Sequence, residues 1–501
     1  MSGSTSTENA DSGLRNNSLG LAELVFHAVT HIAPATGVVF IFPAIALQAG
    51  PLMPISFLLS TIVCFFIGNT VFEFSKYVPS SGGYYSFATR GLGSRSGFVA
   101  TWSYLIYEIF GGFAAVGFLG YLLSDTLKME FHLEIPWWTF ALATTALVWM
   151  LTHRGIRLSA RITTALGALE LLIMLALGIT FLIRPGPGSS YLVPLTPTSS
   201  AHPLRSILAG MVFSILALTG FEAPAPLAQE ARLPNKSIGQ AVMLSLITTG
   251  IFFTFMAYAS AIGWGTGNMD AFASNANPYY VLGHSQWGAA WWLVILALIN
   301  CAVAVGIACT NSASRVMYTM GRAGTLPSSF GRIHPIHRTP TVAIGVAQIV
   351  GVVAILLVGF VLRPDYIFDF LGTIVTFAVI LLYVMANIAL TRYMRREQRV
   401  RFTVWRHLLV PSVATLALIP VLFVTLYPLP PWPYNLTPYL FLVSLIAGIA
   451  YMYWREWRNP GTLQRGAMMI TGSERAGVGD AEKFKSVFAK RESCEVLEQE
   501  K

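Results

Sequence analysis

Charge is scarce in this 501-residue chain. Asp, Glu, Lys and Arg make up 11% of it, against 54% hydrophobic residues and a mean hydropathy of +0.62. A soluble protein of this length carries roughly 25% charge, so the deficit excludes the soluble globular class. Cysteine is scarce too, with four in all. Cys64, Cys301 and Cys309 fall inside apolar stretches and Cys494 in a charged tail, which excludes a disulfide framework and metal-ligand spacing. Residues 1–19 are polar and lack an apolar core, so no cleavable signal peptide is expected. The stretch "HAVTH" at 27–31 lacks the glutamate that a zinc protease motif places after its first histidine.

What is abundant is apolar runs of about 20 residues, enough to cross ~30 Å of hydrocarbon. Twelve are expected to be membrane helices, near 21–48 (interrupted), 52–75, 97–124, 136–152, 160–183, 205–230 (interrupted), 239–264, 288–318, 340–362, 367–391, 408–428 and 436–455. No ten-residue alternation suggests a barrel, and lipid demands that backbone groups pair within the segment, so the class is all-α integral membrane. With the N-terminus inside, 28 of the 32 Lys and Arg residues fall on the inner side, which leaves Lys128, Arg184, Arg205 and Arg363 outside. That asymmetry sets an orientation with both termini cytoplasmic. The net charge of +9 then reports topology and contact with anionic lipid, with no nucleic-acid partner implied. Residues 1–19 are expected as a flexible cytoplasmic tail, 20–391 as a core of ten helices and 408–455 as helices eleven and twelve. Residues 456–501 are expected as a second cytoplasmic tail with a short helix near 480–490.

Two segments contain breaks. The first reads "HIAPATGVVFIFP" (31–43), where Pro34 removes a donor and Gly37 frees the backbone. The sixth reads "LALTGFEAPAPLAQE" (216–230), with the break near Thr219–Gly220 and Pro224 and Pro226 in the first turn of a resumed helix. Breaks five helices apart are the sequence pointer to an inverted-repeat transporter whose site lies between discontinuous helices. A half-helix starting after Gly37 presents N–H groups for a carboxylate, and one ending near Thr219 presents carbonyls for an ammonium. Simple kinking of packed helices is the plainer alternative.

The chain resembles the amino acid–polyamine–organocation (APC) transporters over about residues 20–455. The resemblance rests on "FSKYVPSSGGYYSFATRGLGSRSGF" (74–98), "THRGIRLSARITTALGALELL" (152–172) and "GFEAPAPLAQEARLPNKSIGQAV" (220–242). "NSASRVMYTMGRAGTLPSSFGRIHPIHRTPTVAI" (311–344) and "FLGTIVTFAVILLYVMANIAL" (370–390) add to it. It implies twelve transmembrane helices, the first ten in the five-plus-five inverted repeat of the APC (LeuT-type) fold, moving amino acids or amines. It places Thr36, Gly37 and Val38 where family members carry Gly-Ser-Gly. Leu216, Ala217, Thr219 and Gly220 stand at the second break, with Phe221 as a gate. It also aligns Glu170 with a lysine of many relatives, which reverses the sign of the group.

Three glutamates sit at membrane depth, where an ionisable group costs about 2.5–3.5 kcal/mol on insertion scales and faces the bundle interior. A low dielectric penalises the charged form of a carboxyl, so each is a candidate for proton exchange. Glu222, beside the second break, is the first choice for ion coupling, against a helix-capping role. Glu170 is expected to titrate or hold a cation such as sodium, or else to bond a neighbouring helix. Glu108 is a candidate partner for a substrate amine, with packing as its alternative. Glu23, His27 and His31 share one helix face. They read as a packing stripe, with a proton entry path as the alternative. Asn300, Asn311, Ser312 and Thr373 read as polar glue between helices, with pocket lining as the alternative. Arg90, Arg154 and Arg322 are expected to pair with acids such as Glu73 and Glu230.

The function expected is a plasma-membrane permease, not an enzyme, that needs no cofactor or metal. It moves amino acids or related amines with protons, or alternatively sodium, as the coupled ion. An exchanger and a non-transporting sensor on the same fold are the alternatives. No nucleophile, metal cluster or phosphate loop at a membrane face supports a membrane enzyme.

Overall fold

The computed structural model describes residues 13–14, 16–197, 201–275 and 277–471. The outer parts of both predicted tails, with the helix expected near 480–490 and Cys494, lie outside the described residues. Helices α1 (Leu21–Ile32) and α2 (34–49) form the first segment, and α3 (Met53–Ser75) the second. A short helix α4 (Tyr84–Leu92) leads to α5 (Ser94–Phe131), α6 (Trp137–His153) and α7 (Ile156–Ile183). The sixth segment is α8 (Pro203–Ala217) followed by turns and a 3-10 helix at Ala225–Glu230. Next come α9 (Pro234–Trp264), short helices α10 (Met269–Ser274) and α11 (Pro278–Trp287), and α12 (Trp292–Arg322). The chain continues through α13 (Thr341–Val361), α14 (Ile367–Arg396), α15 (Val410–Leu426), α16 (Thr437–Arg458) and α17 (Thr462–Thr471).

Among the described residues, nine stretches are long and apolar enough to cross a membrane, the first running unbroken in composition from Leu21 to Ser75 through two predicted segments. Two further predicted segments are helical but short: α6 has 17 residues and α8 has 15. The described structure also extends into both predicted tails. Leu14 and Leu19 are buried, and α17 packs on α4 and α5.

Helix contacts repeat with a shift of five segments. The second segment packs on the seventh (α3 on α9) and the third on the eighth (α5 on α12). The first-to-seventh contact (α1–α9) has its counterpart in the sixth-to-second (α8–α3), and the third-to-tenth (α5–α14) in the eighth-to-fifth (α12–α7). The short helices α4 and α11 follow the second and seventh segments. Small residues let these backbones approach. A Cβ at Gly112 on α5 would stand 2.8 Å from Cβ of Cys309 on α12, and one at Gly167 on α7 would stand 2.6 Å from the Thr30 methyl on α1.

One end of the bundle carries the arginine-rich loops and is called the basic end; the other is the opposite end. The sequence clusters Trp137, Trp138, Trp287, Trp291 and Trp432 at the predicted outer boundaries, where such rings anchor a membrane interface; Trp138 and Trp432 are exposed. Trp291 is buried, stacked on His284 at 4.5 Å, so it serves packing instead. The inner-loop pairings also differ from expectation. Glu73 bonds Lys76 at 2.9 Å, and Arg90 pairs with Glu397 at 3.2 Å. Burial pushes the Glu397 carboxyl's pKa up while Arg90 opposes that shift.

Candidate functional site

The first break lies one turn earlier than the glycine suggested. Helix α1 ends at Ile32 because Pro34 cannot continue it, and Ala33 turns left-handed with φ 58° and ψ 66°. For a residue with a Cβ this conformation costs roughly 1–2 kcal/mol. Pro34 then opens α2 at a position where its missing donor matters little. Gly37 is no hinge: its N–H donates to the Ala33 carbonyl at 2.9 Å, and it begins a π-helical turn at Gly37–Ile41. The expected carboxylate donors at Gly37 and Val38 are corrected accordingly, because donors without a helical acceptor belong to Ala35 and Thr36. Val38 is fully buried. The Ala35 N–H faces the Glu170 carboxyl of α7, though neither Glu170 oxygen reaches hydrogen-bonding geometry.

The second break is wider. Helix α8 ends at Ala217, and Gly220 at φ 114° turns the chain. What resumes is a six-residue 3-10 helix, so a regular α-helical N-terminus does not follow Glu222. The Leu216 carbonyl is occupied by the Thr219 N–H at 3.2 Å and hydroxyl at 2.8 Å. The carbonyls of Ala217, Leu218 and Thr219 have no partner among the described residues. The breaks touch: a Cβ at Gly220 would stand 2.5 Å from His31 Nδ1 and 2.9 Å from the Ile32 amide nitrogen.

A cavity of about 520 Å³ rises from this junction toward the opposite end. His31, Ile32, Ala33, Thr36 and Gly37 line it from the first break, and Leu216, Ala217 and Thr219 from the second. Higher up, Phe368, Asp369 and Thr373 of α14 and Tyr434 complete its wall. Thr373, read as glue, is therefore pocket lining. Val38, Gly220, Phe221, Glu108, Glu170 and Glu222 are not on the lining surface. Phe221 is buried with its ring stacked on Tyr383 at 5.7 Å. Because α1 and α8 both end at the floor, their free carbonyls and the negative ends of their dipoles favour a cation there.

The buried polar groups beneath the floor form two clusters. His31 Nε2 lies 2.7 Å from Glu108 Oε2 and 3.3 Å from Cys309 Sγ, and its Nδ1 lies 3.4 Å from the Tyr107 hydroxyl. The 2.7 Å separation is that of a hydrogen bond; two ligand atoms sharing a tetrahedral ion stand roughly 3.3 Å apart. Glu108 therefore partners a histidine rather than the cavity. The sequence holds the signal, in a histidine one turn before a proline break and a glutamate in mid-helix, but not their pairing. Glu222 sits beside this cluster, one oxygen accepting the Gly220 N–H at 3.2 Å and the other without a partner.

Toward the basic end, Arg315 of α12 meets Glu230 in a buried ion pair, Nε to Oε2 at 2.9 Å and Nη2 to Oε1 at 3.3 Å. The Glu230 carbonyl accepts the N–H groups of Ser18 and Leu19, at 2.8 and 3.0 Å, and the Leu19 carbonyl accepts that of Arg232 at 3.0 Å. This end is closed where the opposite end is open. Three half-buried imidazoles, His153, His334 and His337, also gather at the basic end with ligand atoms within 4.8 Å of one another. His334 Nδ1 already accepts two backbone N–H groups, which leaves it one nitrogen to offer.

The model of the amino acid permease family matches residues 23–462. The chain is 26% identical over 337 residues to the branched-chain amino acid permease BcaP of Bacillus subtilis (strain 168), an alignment covering 62% of this chain and 68% of that one. It is 26% identical over 344 residues to the low-affinity putrescine importer PlaP of Escherichia coli (strain K12), covering 67% and 73%. Similarity to the L-asparagine permease of Salmonella typhimurium (strain LT2) is 24% over 327 residues, covering 62% and 63%.

Proposed function

The chain belongs to the amino acid permease family, and on that footing we propose that it carries amino acids or related amines across the plasma membrane by alternating access, coupled to protons. The observation that carries this reading is the contact of two helix breaks at the floor of a ~520 Å³ cavity. Broken helices supply peptide groups that grip a charged solute away from bulk water. The floor's chemistry supports an ammonium as the group gripped, on the carbonyls of Ala217 and Thr219. Thr36, at the side, donates its hydroxyl to Cys301 Sγ at 3.1 Å and turns its N–H toward the same sulfur, so a carboxylate reaches these donors only by displacing that contact. The relatives' names cover an amino acid with an apolar side chain and a diamine without a carboxylate, which an amine-centred floor accommodates.

The five-segment shift in helix contacts supports the inverted repeat, with α8–α14 making up the second half and α15 and α16 its flank. Taking the basic end as cytoplasmic, the conformation is open outward and closed inward. Rocking of the two broken helices against α5 and α12 then alternates access. Glu222 is our choice for ion coupling, because it is buried, half-unpartnered and placed at the moving junction. Glu170, facing the first break from α7, is the second choice.

The test uses the full chain in proteoliposomes with radiolabelled leucine, arginine and putrescine, with and without an inward proton gradient. Gradient-driven accumulation of at least one probe supports the reading. Glu222→Gln is expected to lose accumulation while keeping measurable counterflow. Counterflow without accumulation in the native protein turns the reading to an exchanger. Saturable binding without either turns it to a sensor.

A further inference from the structure

His31 and Glu108 stand where four helical elements meet. His31 is in the last turn of α1, against the first break, and Glu108 lies midway along α5. The imidazole also touches Cys309 of α12, and the second break lies against it at Gly220. Both side chains are buried, at 3% and 0% exposure, and Glu108 Oε1 has no hydrogen-bond partner. Yet His31, Tyr107 and Cys309 all line the cavity. A proton entering from the opposite end reaches the ring without crossing lipid.

The surroundings define what this pair can do. His27 lies one turn below on α1; Tyr104 and Tyr107 face the pair from α5, and Tyr383 stands near on α14. Cys309 faces it from α12, and Glu222 from the second break. Arg315 is the nearest fixed cation, and it is committed to Glu230. No other cation among these groups balances Glu108. With a proton added, His31 carries two N–H groups, one donated to Glu108 and one toward the Tyr107 oxygen, and the pair is neutral overall. Without it, a carboxylate stands beside a neutral ring with Glu222 close by. A buried charge left without its partner is strongly unfavourable. While the cavity is open its solvent offsets part of that cost; closing it over a substrate removes the offset.

We infer that His31 and Glu108 together form the site of the coupled proton, and that this proton must be in place before the cavity closes over its substrate. The inference rests on the transporter reading, and Glu222 then takes part in coupling through its buried charge at the second break beside the pair, without carrying the proton itself. Binding forms one N–H bond on the imidazole, and release breaks the same bond, so no other reactant is needed.

The test compares two rates in the same proteoliposomes: accumulation driven by an inward proton gradient, and counterflow at equal pH, with labelled leucine, arginine and putrescine. In both His31→Gln and Glu108→Gln, the ratio of accumulation to counterflow is expected to fall at least tenfold, and counterflow to lose its pH dependence. A ratio within threefold of the native value in either variant overturns the inference while leaving the carrier standing. In case the variants fold poorly, the native protein in weakly buffered detergent supplies a second readout. A probe that passes the counterflow test should draw close to one proton from solution as it binds. Binding without proton uptake overturns the inference. Native protein that shows no counterflow with any probe overturns the carrier reading and this inference together.

Discussion

Replacing Arg315 with methionine removes one half of a buried ion pair and leaves the other half in place. The Glu230 carboxylate has no other side-chain partner among the described residues. Breaking such a pair from one side costs about 3–5 kcal/mol, because the remaining charge is stranded. That cost falls on the conformation in which the basic end is closed, since opening the end gives the carboxylate water. At 1.4 kcal/mol per tenfold, the closed state loses about two to three and a half powers of ten against the open one. Glu230→Met strands the guanidinium instead, but Arg315 keeps the Asn311 side chain at 3.0 Å, its carbonyl at 3.3 Å and Ser314 at 3.2 Å. Its effect should sit at the lower end of the range. The double variant strands nothing and should return most of the way. The assay is the labelling rate of a cysteine introduced by Ala225→Cys, a buried position in the same 3-10 helix, with a water-soluble maleimide. Labelling of the same protein lacking that change is subtracted. Arg315→Met should label at least a hundredfold faster, and acidification should slow it, because a lone carboxylate can be neutralised. Acidification lowers the thiolate fraction in every variant, so rates are read relative to Glu230→Met, and Arg315→Met should slow beyond it. Native-rate labelling of Arg315→Met, or a double variant faster than either single one, refutes the reasoning.

Two shorter predictions concern the cavity. Gly220→Ala sets a Cβ 2.5 Å from His31 Nδ1 and 2.9 Å from the Ile32 amide nitrogen, at a φ that side chains rarely adopt. Counterflow should fall more than tenfold with expression retained, and a rate within twofold of native would show that the breaks do not meet. Asp369 is the one carboxyl among the cavity's lining residues. Asp369→Asn should raise KM for arginine and putrescine by about tenfold, the equivalent of ~1.4 kcal/mol for a charge interaction in a partly wet site. Leucine should change less than twofold; equal shifts for all three would remove Asp369 from charge selection.

Much of this architecture is legible in the sequence because the bilayer imposes simple rules. An apolar run of 20 residues has to be helix, and Pro34 and Gly220 mark the two places where helix fails. The first break was displaced toward Gly37 because a glycine looks like a hinge. The proline sets the exit, at the residue before it, and Gly37 lies within the resumed helix, opening a π-helical turn with its N–H bonded. The helices α4 and α11 escaped because they are too short and too mixed in character for a hydropathy signal. The pairings were out of reach for a different reason. His31 and Glu108 are 77 residues apart, and Arg315 and Glu230 are 85 apart. Residue type and spacing within one segment carry no information on which face meets which neighbour, so acids and bases at the right depth could be named but not matched. The loop arginines show the same limit, since Arg90 found Glu397 and not the nearer Glu73.

The short parallel bridge between Leu19 and Ala231 has a consequence for how the basic end comes apart. Three peptide hydrogen bonds and the Arg315–Glu230 pair all run through residues 18–19 and 230–232. None can stretch far without the others, so release there is all-or-none, with few half-parted states. Cargo on that side should therefore escape in discrete bursts, and single-molecule records should show two dwell levels with abrupt steps between them.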